Sequence, residues 1–590
     1  MKQLIILFVF CLPSIVHTHA QTPVVTMSSE KKAVTIHAEW KGDGSLVANN
    51  VVLKKGTGVQ DVVTVNADSS VVLIATGNVQ LTHLFCDSEK LTALDVTNCP
   101  DLKELRCSSG SLTALDVTKC KNLEKLYCGS NSLTNLDVTN CPKLMRLSCS
   151  NNPLTTLDVT KCTMLIRLDC TSNSLPTLDV TNCFDLTELY CDDNHLTTLD
   201  VTNCPKLMTL RCRNYLTTLD VTNCQELNDL SCGGNPLTTL DVTNCPKLER
   251  LDCAKNSLTF LDVSNCFELD DLSCGFNFLT TLDVTNCPKL TWLRCRNSTL
   301  TSIDVTKCTM LTRLECDFNS LTTLDVTNCF ELEDLLCSFN PLNTLDVTNC
   351  PKLKLLVCSQ TSLSTLDVTN CLALITLTCG FNPLATLDVT NCPKLMRLFC
   401  DKNSLTTLDV TNCFELTELS CDKNSLTTLD VTNCPRLTSL KCSENFLTTL
   451  DITNCQKLKW LTCSQNSLTT LDVTNCPELT SLRCSENFLT TLDIASCPKL
   501  NDLIANLQTS VLPKTMVDDA ILNIENPVIF VGAEVSIEEI SHSGRLTTNG
   551  ITWNVSGESG EVTFKFATKL SEGVIGEPFS GTITLPWIKK

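Results

Sequence analysis

The hydrophobic and polar positions of this chain repeat every 21 residues between residues 81 and 506. Each repeat reads L-x-x-L-x-C-x-x-N-x-L-T-x-L-D-V-T-N-C-P-K, and a deletion near Arg213 shortens one repeat to 20 residues. A strict period in this range is typical of a solenoid, in which each coil buries its apolar edge against the next one. The pattern therefore predicts about 20 stacked coils.

Each coil carries two short segments with a period of two. Leu105 and Cys107 alternate with polar residues, which predicts a β-strand with one buried face, and Leu115 and Val117 repeat the alternation on the opposite side of the coil. Helix is disfavoured in the second segment because Thr and Val are β-branched and only about eight residues are available. We expect seven inward side chains per coil, five Leu or Val and two Cys.

The cysteines of the repeats form two columns of twenty residues, one from Cys86 to Cys484 and the other from Cys99 to Cys497. Neighbours in a column are expected ~4.8 Å apart at Cα, but their Cβ vectors run parallel instead of converging, which disfavours disulfides. A zinc array is also disfavoured, because the columns contain neither C-x-x-C pairs nor paired histidines. We expect a buried ladder of free thiols; the alternative is that some of them form the disulfides common in secreted proteins.

Two polar columns accompany the cysteines. Asn follows the strand cysteine by three residues in 15 of 20 repeats, where it can satisfy backbone groups at the turn. Every repeat also has an aspartate in its Leu-Asp-Val segment, twenty in all from Asp95 to Asp493. We expect each carboxylate to accept hydrogen bonds from its own turn or from the following Thr. A calcium ladder is the alternative, but the Gly-rich nonapeptides of calcium-binding β-rolls are absent from the sequence.

The segments outside the repeats have other patterns. Residues 1–20 combine Lys2, an apolar run and a small-residue exit, which indicates a secretory signal peptide. Residues 21–80 are rich in Val and turn residues, and they predict a β-rich cap over the first coil. The repeats occupy residues 81–506, and residues 507–590 show short alternating strands that suit a small β-sandwich. We expect a secreted, extracellular protein with no transmembrane segment and no wall anchor.

Several motifs resemble those of a known family. The strand motif with its cysteine resembles the 21-residue bacterial leucine-rich repeat, and Gly550–Asn554, Glu561–Phe564 and Phe579–Ile583 resemble the module that follows the repeats in internalins. The resemblance implies a mainly β fold: a right-handed leucine-rich repeat solenoid of about 20 coils, followed by an immunoglobulin-like β-sandwich. It also implies that the strands carrying L-x-C line a concave face, and that the protein acts in adhesion or virulence.

Composition and motifs narrow the possible functions. With 45 basic and 65 acidic residues the net charge is −20, so binding of nucleic acid through a basic face is disfavoured. No nucleophile–base pair, Gly-rich phosphate loop or metal-ligand cluster stands out in the sequence. We therefore predict no enzyme and no catalytic, cofactor-binding or metal-binding residues. A binding protein is favoured, because solenoids present an extended sheet to partners.

The outward positions beside the strand cysteines change character between repeats 10 and 16. Arginine, aromatic and aliphatic residues replace small polar ones there, and arginine and aromatic residues concentrate binding energy at interfaces. We predict a partner-binding surface at Trp292, Arg294, Arg296, Arg313, Leu336, Val357 and Phe399, with Phe276, Phe318, Phe339 and Phe381 at the neighbouring turn. The alternative for the four turn phenylalanines is a second packed ladder over the core. The outward aromatics Phe85, Tyr127, Tyr190 and Trp460 are isolated and have no predicted role.

The sequence thus predicts a secreted protein that binds a protein or glycan ligand on a host cell or a neighbouring surface through its concave face. The alternative is a structural surface or biofilm component, for which the shape of the solenoid suffices. Substitution of Trp292 separates the two, because only the first function depends on a few contact residues.

Overall fold

The computed structural model describes residues 23–505 except 32, 50, 55–60, 65–69, 88–89, 490–491 and 495, and beyond residue 505 the backbone of nine strands with the side chain of Gln508. The predicted signal peptide lies outside the described residues. All regular structure in the described residues is β. The chain divides into two compact units, residues 1–246 and 247–590.

The first unit contains a set of longer N-terminal strands and then one three-residue strand per coil. Its strands are β1 (Pro23–Ser29), β2 (Ala33–Lys41), β3 (Ser45–Ala48), β4 (Val51–Val52), β5 (Asp61–Thr64), β6 (Ser70–Thr76), β7 (Gln80–Phe85), β8 (Leu91–Asp95), β9 (Glu104–Arg106), β10 (Lys125–Tyr127), β11 (Arg146–Ser148), β12 (Arg167–Asp169), β13 (Glu188–Tyr190), β14 (Thr209–Arg211) and β15 (Asp229–Ser231).

The second unit continues the three-residue strands and ends in a group of longer ones. Its coil strands are β16 (Arg250–Asp252), β17 (Asp271–Ser273), β18 (Thr281–Asp283), β19 (Trp292–Arg294), β20 (Ser302–Asp304), β21 (Arg313–Glu315), β22 (Asp334–Leu336), β23 (Leu355–Val357), β24 (Thr376–Thr378), β25 (Arg397–Phe399), β26 (Glu418–Ser420), β27 (Ser439–Lys441), β28 (Trp460–Thr462), β29 (Ser481–Arg483) and β30 (Asp502–Ile504). The remaining strands are β31 (Gln508–Val511), β32 (Thr515–Val517), β33 (Ile521–Glu525), β34 (Val535–Ile540), β35 (Arg545–Thr547), β36 (Gly550–Asn554), β37 (Ser559–Thr568), β38 (Ile575–Glu577) and β39 (Ser580–Lys589).

The N-terminal strands pair with both sides of the first coil. Strand β1 runs antiparallel to β8, with Thr26 opposite Asp95, and β2 runs antiparallel to β7, with His37 opposite Phe85. From β7 and β9 onward the coil strands are parallel, and Leu126 pairs in register with Leu147 of the next coil. These pairings cover sheet edges of the first coil that would otherwise leave backbone groups unpaired.

The coil strands of the second unit other than β18 and β20 form one parallel ladder, and β30 continues it by pairing with β38. On the opposite side of the coils β18 pairs with β20. Beyond the coils, β31, β32, β34, β37 and β39 form one sheet, and β33, β35 and β36 form another. Apart from Gln508, the side chains of this region are outside the described residues, so the immunoglobulin-like sandwich stays a prediction, as do the domain limits.

The repeated apolar positions form the core. In one coil Leu102, Leu105, Cys107, Leu112, Leu115, Val117 and Cys120 are all buried. All forty repeat cysteines are buried and none of them is in a disulfide, which confirms the predicted thiol ladder. Burial raises the pKa of Cys120 to about 12, so the reactive thiolate is scarce at neutral pH.

The asparagine column links each coil to its neighbour. The Nδ2 group of Asn152 donates to the carbonyl oxygens of Cys128 and Cys149 at 3.1 and 3.0 Å, and its Oδ1 accepts the N–H of Leu133 at 2.9 Å. The side chain thereby pairs backbone groups of two coils that would otherwise be buried without partners. The predicted role of the asparagines is confirmed.

The aspartate column is held within its own turn. Oδ1 of Asp116 accepts the N–H of Thr118 at 2.9 Å and the Thr118 hydroxyl at 2.6 Å. These two bonds, the hydroxyl first, lower the pKa of Asp116, and the charge of Lys119 acts in the same direction. The predicted turn bonds are confirmed, and they recur along the solenoid, for example at Asp367.

Candidate binding surface

The coil strands of the second unit place the predicted residues in adjacent columns that run from coil to coil. We call the outward side chains of these strands the strand face; its start column contains the first residue of each strand and its end column the last. Trp292 and Arg313 lie in the start column, and Arg294, Leu336, Val357 and Phe399 lie in the end column. Arg296 lies two residues beyond β19.

Trp292 is held between two guanidinium groups. Its side chain is 43% exposed, with the Cζ atom of Arg294 5.4 Å from the ring centroid and that of Arg313 6.0 Å away. Arg313 reaches the ring from the next coil, since it pairs with Trp292 in register. Cation–π contacts of this kind fix the ring while leaving part of it accessible.

Acidic side chains of the same strand and of neighbouring strands pair with both arginines. Nη2 of Arg294 lies 2.5 Å from Oδ1 of Asp271, and Nε of Arg313 lies 2.7 Å from Oε1 of Glu315. Nη1 of Arg313 is 3.6 Å from Oδ2 of Asp334. Because their charges are already paired, the arginines serve here to orient Trp292 more than to attract an anion. The Nε atom of Arg294 is buried without a hydrogen-bond partner in the described part of the chain.

A buried carboxylate lies beside this group. Asp317 is only 6% exposed, and burial raises its pKa to about 6 although it accepts the N–H of Ser338 at 3.1 Å. Arg296 opposes the shift from the preceding coil. The charged form of Asp317 is therefore costly in the folded state.

Beyond Glu315, as far as Phe399, the end column is apolar except for Thr378. Leu336, Val357, Thr378 and Phe399 follow one another in register on β22 to β25, and all four are half-buried. A line of apolar side chains next to an anchored tryptophan is the arrangement expected of a contact surface with a central hydrophobic area.

The predicted phenylalanines occupy a left-handed turn position. We call the residues two positions after each strand cysteine the turn column; in this part of the chain it contains Lys255, Phe276, Asn297, Phe318, Phe339, Gln360, Phe381, Lys402 and Lys423. Their φ angles lie between 50° and 58°, where only Gly is free of strain. Each conformation is held by a bond to the next coil, as when the N–H of Phe276 donates to the carbonyl of Arg296 at 2.8 Å.

The four phenylalanine rings are 39–46% exposed and contact their neighbours in the column. Phe318 and Phe339 stack with centroids 4.1 Å apart and an interplanar angle of 13°. Lys255 and Arg296 lie 5.9 and 5.4 Å from the Phe276 centroid. The Nζ atom of Lys402 lies 4.2 Å from the centroid of Phe381.

The aromatics without a predicted role in the first unit are also connected. Arg106 lies between Phe85 and Tyr127, 4.8 and 4.9 Å from their centroids, and the ring of His37 stacks on Phe85 at 4.9 Å. This stack joins β2 to the first three coils. Positions 85, 106 and 127 are spaced by 21 residues, which indicates that they share one column. The prediction that Phe85 and Tyr127 are isolated missed this spacing.

The opposite side of the second unit carries an open groove of about 1050 Å³ lined only by repeated Thr, Leu and Asp residues between 323 and 409.

In the described part of the chain no three His, Cys, Asp or Glu side chains come together to hold a metal. Nor do the described residues include a helix long and apolar enough to cross a membrane.

Comparison with solved structures shows a clear similarity to a bacterial leucine-rich repeat protein. The functional domain of InlJ from Listeria monocytogenes, which includes a cysteine ladder, is 31% identical over 76% of this chain and 92% of that domain, with a TM-score of 0.57. A family described as LRR adjacent matches residues 532–588. The search of curated proteins found no significant match.

Two further solved structures share the architecture. The leucine-rich repeat protein LIC12759 of Leptospira interrogans is 25% identical over 57% of this chain and 95% of its own, with a TM-score of 0.51. The ectodomain of the Arabidopsis thaliana receptor kinase GASSHO1/SCHENGEN3 is 24% identical over 70% of this chain and 59% of its own, with a TM-score of 0.57. At that identity the likeness concerns the fold alone.

Proposed function

The chain belongs to the internalin family of leucine-rich repeat proteins, and we propose that it is a secreted binding protein that engages a macromolecule on a host cell or neighbouring surface. The proposed contact surface is the strand face, which we take as the concave side because the chain resembles this family. The proposal includes a signal peptide at residues 1–20, a cap at 21–80, the solenoid at 81–506 and an immunoglobulin-like domain at 507–590. Leucine-rich repeat solenoids are typically binding scaffolds, and we propose no catalytic role.

The anchored Trp292 carries the proposal. Its ring is 43% exposed, and it is fixed by two arginines that are themselves fixed by Asp271, Glu315 and Asp334. An aromatic side chain whose orientation is set in advance loses little entropy on binding, which is why such residues dominate interface energies. A purely structural surface component needs no such arrangement.

The test compares two tryptophans of the same column. Trp460 begins β28 as Trp292 begins β19, and it is 49% exposed, so Trp460→Ala is a matched control for Trp292→Ala. We expect Trp292→Ala to weaken the binding of the labelled full chain to host cells about fivefold or more, while Trp460→Ala changes it little. Circular dichroism checks folding. Equal binding by both folded variants would refute the surface and favour the structural alternative.

A further inference from the structure

The turn column between Lys255 and Lys423 differs in charge from the rest of the molecule. Its nine residues include four phenylalanines and three lysines and no acid, in a chain whose net charge is −20. Lys423 is paired with Glu444 of the next coil at 2.8 Å, so Lys255 and Lys402 are the cations beside the phenylalanines. Further along, the same column becomes acidic at Glu444 and Glu486. The aromatic stretch is therefore a local cationic and aromatic strip, suited to a partner that is apolar and acidic.

The faces of the phenylalanine rings in this strip meet groups of neighbouring coils. Phe276 has Lys255 from the preceding coil and Arg296 from the following coil near its ring, at 5.9 and 5.4 Å. Phe318 and Phe339, one coil apart, cover one face of each other at 4.1 Å. Nζ of Lys402 lies over the ring of Phe381 at 4.2 Å, so each of the four rings has at least one face covered by a neighbouring group while 39–46% of each residue stays exposed.

Ring orientation separates the two ligand classes that a solenoid surface could bind. A sugar packs its C–H groups against an open aromatic face, which carries the negative part of the ring quadrupole. A ring edge is positive and attracts carbonyl and carboxylate oxygens, and beside it apolar side chains can pack. A row of rings whose faces are partly covered, with ammonium groups at both ends, is therefore complementary to a polypeptide with acidic and apolar side chains.

We propose that the turn column from Phe276 to Phe381 docks an extended acidic and apolar polypeptide segment of the partner, and not a glycan. The proposal deepens, and rests on, the proposed function of the strand face. Five coil steps of ~4.8 Å separate the two terminal phenylalanines, about 24 Å, which corresponds to roughly seven extended residues. At the positive φ of the turn column phenylalanine has no conformational advantage over other residues, so its presence there is better explained by contacts at the surface.

The test uses the full chain and a fluorescein-labelled nine-residue peptide in which Asp or Glu alternates with Leu or Phe. Its counterpart carries Lys in place of the acids, and neutral and sialylated oligosaccharides are the glycan probes. Fluorescence anisotropy should show binding of the acidic peptide that weakens with salt, at least tenfold weaker binding of the lysine peptide, and no binding of the glycans.

The deciding variant is Phe318→Ser with Phe339→Ser. Serine occupies the same turn position at Ser130, with a φ of 55°, so the fold tolerates it. We expect the double variant to lose at least tenfold in affinity for the acidic peptide, whereas the matched double variant Gln465→Ser with Glu486→Ser in the same column loses none. Unchanged affinity of the phenylalanine variant, or glycan binding that depends on these rings, would overturn the inference.

The experiment also separates this inference from the proposed function. If Trp292→Ala reduces cell binding while the double phenylalanine variant binds both cells and peptide normally, the strand face binds its partner and the turn column does not dock the peptide. If the phenylalanine variant loses peptide binding while Trp292→Ala binds cells normally, the docking strip stands and the anchor assigned to Trp292 is wrong.

Discussion

Removal of a single residue of the asparagine column, whose position in each coil we call the ladder position, should destabilise two coils. Asn340 is 2% exposed; its Nδ2 group donates to the carbonyls of Cys316 at 2.9 Å and Cys337 at 3.0 Å, and its Oδ1 accepts the N–H of Leu321 at 3.0 Å. Asn340→Ala removes this partner from three buried backbone groups. Since each buried unpaired group costs about 1–3 kcal/mol, we expect a loss of about 3–6 kcal/mol once relaxation is allowed for.

Hydrogen exchange measured by mass spectrometry is the suitable assay. The stability of a solenoid is roughly a sum over coils, so a local opening is more informative than a global unfolding transition. Exchange in the peptides that contain Leu321 and Asn340 should accelerate at least 100-fold, which corresponds to about 3 kcal/mol.

The matched variant is Asn340→Thr. Thr361 occupies the ladder position of a neighbouring coil, and its hydroxyl donates to the carbonyl of Cys358 at 3.1 Å. Threonine at position 340 should therefore retain one of the bonds and give an intermediate acceleration. An alanine variant that exchanges less than fivefold faster than the parent, or a threonine variant as impaired as alanine, would refute this account of the ladder.

Three further predictions follow from buried polar groups. Ser298 takes the ladder position in the coil of Trp292, and its buried hydroxyl has no hydrogen-bond partner in the described residues. Ser298→Asn should therefore stabilise that coil by about 1–3 kcal/mol and slow its hydrogen exchange. Faster exchange would contradict the ladder geometry. Burial raises the pKa of Asp317 to about 6, above its unfolded value near 3.9, so its stabilising contribution is complete below about pH 4 and is lost as the pH rises through 6. Asp317→Asn should thus be about 1–2 kcal/mol more stable than the parent in urea at pH 7 and equal to it at pH 4, and a gain at pH 4 alone would contradict the sign. Burial raises the pKa of Cys120 to about 12, so iodoacetamide at pH 8 should leave this thiol unmodified in the folded protein and alkylate it after unfolding. Peptide mass spectrometry measures the labelling. Rapid labelling of the folded protein would argue against a closed core.

The sequence was sufficient to predict the coil interior because the same constraint appears twenty times. The alternation of Leu105 and Cys107 predicts the strand, and the structure buries both side chains in β9 and the residue after it. The turn column was not predictable in this way. Nothing in the local propensity of Phe276 favours a positive φ, and the conformation depends on a hydrogen bond to the next coil.

The candidate surface was predictable in its residue types and less so in its geometry. The sequence places Trp292 and Arg294 on one strand, but the partners that fix them, Asp271 and Arg313, belong to neighbouring coils. These partners lie 21 residues before and after Trp292, so reading the sequence in columns brings them together. Side-chain pairing between those columns depends on rotamers, which the sequence pattern does not specify.

Two coils of the second unit that lack the ladder asparagine also carry unusual residues on the strand face. From Asn256 to Asn487 the ladder position is Asn in every coil except two, which have Ser298 and Thr361. The first of these coils carries Trp292, and the second carries Val357 of the apolar end column. In both coils an amide side chain occupies the adjacent turn column instead, between the phenylalanines. Because each missing ladder asparagine removes bonds that join two coils, these two coils should open most readily in the second unit, and they lie where a partner is proposed to bind.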